Sequence, residues 1–157
     1  MQKIFSFTML IMIGIVLYAN NPIPFTEKKY NEMVAKSNIS TFQTYKVNNY
    51  RYAVFTENDQ KKYFIVSTDY SDVKGYQGTT TLGIVLNEDM TVDRVNIIKS
   101  QETHAYVKRI ISMGFLQRLA GYHSDLEVEI VSGATSSCKA IIQSIDECIV
   151  KFSDVLN

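Results

Sequence analysis

The sequence predicts an α+β domain: an antiparallel sheet with short helices and a long C-terminal helix, preceded by an N-terminal hydrophobic segment. Three observations carry this. Between residues 50 and 99, β-branched and aromatic runs alternate with short turn-forming clusters, as in sequential strands joined by hairpins. From His104 onward the apolar spacing becomes three and four, the helical period. Near the C-terminus Ile141, Ile145, Cys148, Ile149, Phe152 and Leu156 fall on one helical stripe. The 157 residues suffice for one domain with a sizeable core.

The elements follow in order. Residues 1–19 begin with Lys3 and then run uncharged and apolar from Ile4 to Ala19. This reads as a signal peptide or a membrane anchor, because such a run has no polar face to present as a core helix. Its 16 residues fall short of the roughly 20 of a spanning helix, and Leu17 stands where a cleavage site prefers a small residue. Either way the domain is expected outside the cytoplasm, periplasmic or at the cell surface. Residues 20–48 read as a short helix and connector. Thr26 is the expected N-cap of a helix over Phe25–Lys36, with Tyr30, Met33 and Val34 on one stripe.

Residues 49–157 form the predicted domain proper. Strands are expected at Tyr50–Thr56 and Lys62–Thr68 around a turn at Glu57–Gln60. Asp69–Gly78 reads as a loop. Thr79–Leu86 and Thr91–Lys99 are the next pair, with Leu82, Ile84 and Leu86 on one face. Helices follow at His104–Ser112 and from Phe115, the latter ended by Gly121. Leu126–Val131 reads as a short strand, and Ser136 opens the C-terminal helix.

Composition narrows the function. Sixteen Lys and Arg balance sixteen Asp and Glu, which argues against a nucleic-acid partner. A hydrophobic share of 46% excludes a disordered acidic chain. Two cysteines are too few for a disulfide scaffold. Cys138 and Cys148 lie ten residues apart on one helix, about 15 Å by helical rise, and are expected as free thiols. His104 and His123 lack clustered partners at ligand spacing, so no metal site is expected.

The chemistry concentrates in Val131–Ser132–Gly133–Ala134–Thr135–Ser136–Ser137, a small-residue turn into a helix. Unpaired N–H groups and the helix dipole make such an end a good anion site, and Lys139 adds charge nearby. The alternative is a plain helix cap made by Ser and Thr. A Walker-type loop is excluded for want of Gly-x-x-x-x-Gly-Lys, and a serine-hydrolase elbow for want of Gly-x-Ser-x-Gly.

Ser132–Gly133–Ala134–Thr135 resembles the flavinylation motif of the FMN-binding domain family. That family includes components of the sodium-pumping NADH:quinone reductase and of the Rnf electron-transport complex, and the extracytoplasmic domain of the nitrous-oxide reductase regulator. Other segments fall in the family's order. Gly75–Tyr76–Gln77–Gly78 resembles its Gly-Tyr-x-Gly, Glu102–Thr103 the start of its Glu-Thr-Pro-Gly, and Phe115 to Gly121 its Phe-x-x-x-x-x-Gly. The departures are Glu129 and Ile130, where the motif usually has Asp and Gly, and His104 and Ala105, where Pro and Gly are common.

The resemblance implies FMN joined covalently to Thr135 by a phosphoester, made by a flavin transferase. Ser132, Gly133, Ala134 and Ser136 would admit the phosphate. Glu102 and Thr103 would lie beside the isoalloxazine ring, and Tyr76 and Tyr106 would pack on it. Otherwise Thr103 is a helix cap and the tyrosines are half-buried surface residues. The implied function is an extracytoplasmic electron-transfer flavoprotein that exchanges electrons with redox partner proteins, without catalytic residues of its own. The alternatives are the same fold as a non-covalent FMN-binding or flavin-free partner-binding module, and a small anchored enzyme such as a flavin reductase.

Overall fold

The structure, a computed structural model, describes residues 21–157. The signal or anchor expected at residues 1–19 lies outside them. Among the described residues no helix is long and apolar enough to cross a membrane.

Six strands form one antiparallel meander in sequence order: β1 (Ile23–Pro24), β2 (Gln43–Val47), β3 (Tyr50–Glu57), β4 (Gln60–Val66), β5 (Thr80–Asn87) and β6 (Val92–Ser100). The helices are α1 (Lys28–Lys36), α2 (His104–Ser112), α3 (Phe115–Arg118) and α4 (Thr135–Leu156). The predicted antiparallel sheet, short helices and long C-terminal helix are thus all present.

β4 explains the layering. Tyr63, Phe64, Ile65 and Val66 are all buried, so this strand is covered on both faces and loses the usual alternation. Tyr63 and Ile65 join Leu82, Ile84, Leu86 and the apolar stripe of α4. Phe64 and Val66 join Tyr30 and Val34 of α1 on the other side. On the α4 side Phe152 meets Tyr52, Tyr63 and Tyr70 edge-on at 5.2–5.9 Å between ring centres.

Several elements depart from the sequence reading. The stretch read as the polar connector 37–48 contains β2, paired in register with β3 from Gln43↔Val54 to Val47↔Tyr50. Its polar residues are tolerated because only Thr44 and Val47 are fully buried. Helix α1 starts at Lys28, not Phe25, and Thr26 does not cap it. Glu27 takes the cap position, with its carboxylate 2.7 Å from the Arg51 guanidinium. The turn between β3 and β4 tightens to Asn58 and Asp59, both at positive φ, which matches the twist of a two-residue hairpin.

Leu126–Val131 is not a strand. Its alternation looks strand-like, but at Val92 the edge of β6 already bonds Tyr122 and Gly121. The segment is tied instead by Arg118, whose Nη1 donates to the Glu129 carbonyl at 3.1 Å.

Candidate functional site

Helix α4 begins where the extended 125–131 segment ends in the Ser132–Gly133 turn. Gly133 has φ +80°, a conformation that disfavours any other residue. Arg109 of α2 fixes this turn: its Nε donates to the Ser132 carbonyl at 2.7 Å, and its guanidinium lies across Gly133. Ala134 occupies the N-cap position, and no side chain caps the helix. The plain-cap alternative therefore fails at this end. The hydroxyls of the exposed Thr135 and Ser136 are not spent on the helix, and its first N–H groups are open to an anion.

In front of this helix end lies a hollow of about 290 Å³ lined by Tyr76, Tyr106 and residues 133–137. The two rings meet nearly edge-on, 6.0 Å apart at 77°, and Tyr76 is 65% exposed. An exposed aromatic face at the edge of a hollow is a surface that a planar ligand can cover.

Of the residues singled out from sequence, Tyr76, Tyr106, Gly133, Ala134, Thr135 and Ser136 meet at this hollow. Ser132, Glu102 and Thr103 are not among its lining. Ser132 contributes a carbonyl to Arg109. Thr103 precedes α2 in the cap position but makes no side-chain cap bond; its carbonyl accepts from the amides of Tyr106 and Val107 instead. Glu102 turns inward, only 9% exposed, and its Oε2 accepts the Gln77 amide at 3.3 Å.

Sequence reasoning named Ser137 only as part of the hydroxyl run before the helix and gave Arg109 and Arg118 no role. Ser137 hides in a row of hydroxyls, and no local pattern separates the one that faces inward. The arginines are ordinary helix residues until the fold brings them to the 129–133 segment. Cys138 and Cys148 are free, as expected, and both are buried. Burial pushes both thiols up, Cys148 to about 12.

A six-stranded sheet is backed by a long helix whose uncapped start faces an aromatic-walled hollow, an arrangement that suits a flat anionic ligand. Residues 75–150, from the Tyr76 turn to the penultimate turns of α4, match the model of the FMN-binding domain family. No curated protein matches the chain. The residues present fit that ligand: a positive helix end and Arg109 suit the phosphate, and the two tyrosines suit a planar ring.

Proposed function

We propose that this protein is an extracytoplasmic electron-transfer flavoprotein that carries FMN through a phosphoester on Thr135. One observation carries the proposal: Thr135 is the first residue of α4, exposed, free of any capping duty, and at the wall of the aromatic hollow. The Thr135 oxygen would hold the FMN phosphate as an ester, an adduct with the composition of FMN less one water. The open N–H groups of α4 and the Arg109 guanidinium offset the charge left on the phosphate. Tyr76 and Tyr106 shield a flat ring from water. Bound FMN supplies transfer of one or two electrons. The tether prevents loss of the cofactor in a compartment without a flavin pool. The extracytoplasmic location rests on the apolar run at residues 4–19, and the partners are a flavin transferase and redox proteins.

The second reading, a module that binds FMN without a covalent bond or binds only a partner, is favoured by one feature. Glu129 and Ile130 stand where the transferase motif usually has Asp and Gly, and the exposed Glu129 carboxylate lies 3.7 Å from Arg118. Intact mass after denaturation decides between them. Protein coexpressed with a flavin transferase should carry FMN less one water, and Thr135→Ala should not. An unmodified wild type would establish the second reading.

A further inference from the structure

Three buried side-chain oxygens among the described residues have no hydrogen-bond partner: Asn31 Oδ1, Glu102 Oε1 and Ser137 Oγ. Two of these three residues, Glu102 and Ser137, line the same small cavity. It lies between the Gly75–Gly78 turn, the start of β5 and the first turns of α4, and Thr80 and Ser144 also line it. It leaves about 10 Å³ for the centre of a water molecule, which is room for one. An unpaired buried carboxylate oxygen costs more than a hydrogen bond contributes when made. Two such orphans on one water-sized cavity point to a shared partner.

We infer that this cavity is a single-water site, and that Glu102 is a positioning residue which acts through it. The donor and acceptor count closes. The water donates one proton to Glu102 Oε1 and accepts one from the Ser137 hydroxyl. Its second proton has the Thr80 or Ser144 hydroxyl oxygen as acceptor. An apolar cavity of this size would stay dry; this one carries the two to four polar partners that a buried water needs.

The water completes a chain between the two walls of the hollow. On one wall Glu102 Oε2 holds the Gln77 amide, next to Tyr76. The carboxylate is pressed against the same turn, since a Cβ on Gly75 would lie 1.7 Å from Oε1. On the other wall Ser137 lies two residues beyond Thr135 and lines both the cavity and the hollow. The bridge thus sets the spacing between Tyr76 and the start of α4. That this spacing serves a flavin ring rests on the reading of the preceding subsection; the water site does not.

The test needs no cofactor. A high-resolution crystal structure of the full chain should show one ordered water within hydrogen-bond distance of Glu102 Oε1 and Ser137 Oγ. A dry cavity, or a direct bond between the two groups, overturns the proposal. Amide exchange by NMR reads the coupling. In Ser137→Ala the Gln77 amide should exchange about fivefold faster, the worth of one hydrogen bond, while Phe64 in central β4 stays unchanged. Glu102→Gln, which keeps an acceptor, should restore most of the protection that Glu102→Ala loses. Equal acceleration at Gln77 and Phe64 would mean general loosening and would refute the bridge. Loss of the FMN adduct with the water still in place would instead sink only the flavin reading.

Discussion

Replacing Gly75 with Ala measures how firmly the Glu102 carboxylate is wedged beneath the Tyr76 turn. Gly75 has no positive φ, so backbone strain is not at issue and the effect is steric. The new Cβ would lie 1.7 Å from Glu102 Oε1 and 2.8 Å from its carboxyl carbon. Ordinary contact begins at 3.4 Å, so the carboxylate has to retreat by about 1.7 Å. Its 3.3 Å bond from the Gln77 amide does not survive such a move. A lost bond to a charged acceptor costs about 1.5–3 kcal/mol, and forcing a methyl group into a packed site costs about 1–3 kcal/mol. The atoms met are the end of a flexible side chain beside a cavity, so most of the second cost is relieved, which leaves about 2 kcal/mol, or about 6 °C in melting temperature for a chain of this length. Gly121→Ala is the control. It meets nothing within 4 Å but sits at φ +80°, so it should lose only about 1 kcal/mol. Thermal unfolding followed by circular dichroism reads both. If Gly75→Ala melts with wild type, or no lower than Gly121→Ala, the carboxylate is not held against the turn and the positioning role of Glu102 falls with it.

Two further outcomes follow from the electrostatics. The hydrogen bond from Arg94 holds the Glu57 carboxyl below its ordinary 4.5, so this pair contributes stability above that pH and loses it as pH falls through the folded value. Melting temperature should therefore drop on acidification below about pH 4.5, and Glu57→Gln should flatten part of the drop; identical acid profiles would contradict the pairing. Burial raises both thiols, Cys148 to about 12, so a thiol reagent near neutral pH should find no reactive cysteine in the native protein and two after denaturation. A thiol that reacts before unfolding would show that the α4 face is not packed against the sheet.

Local pattern made much of this molecule legible from sequence. Helix α2 lies at the predicted His104–Ser112, and the two central hairpins lie within a residue or two of expectation. Both follow from periodicity and turn chemistry, which neighbouring residues set among themselves. The turn at Ser132–Thr135 was legible for the same reason: small residues before a helical stripe mark a helix start wherever it packs. The resemblance carried by Gly75–Gly78 and Ser132–Thr135 also pointed to the family that residues 75–150 match.

Tertiary structure decided the rest. β2 is polar enough to pass for a linker and becomes a strand only because β3 offers it an edge. Leu126–Val131 alternates like a strand and is not one, because at Val92 the edge of β6 is already bonded to Gly121 and Tyr122. Helix α1 reads as a lead-in by itself, yet Tyr30 and Val34 are fully buried against β4. The site divides the same way. Thr135 was visible as a residue type at a helix start, but its freedom from capping was not. Glu102 read as a group beside a ring, and the fold turns it inward to the Gln77 amide. Arg109 is a surface residue of α2 until the 132–133 turn arrives beneath it. Periodicity records which face of an element is apolar; it does not record which distant element covers that face, because this depends on free energies summed over contacts between residues far apart in the chain.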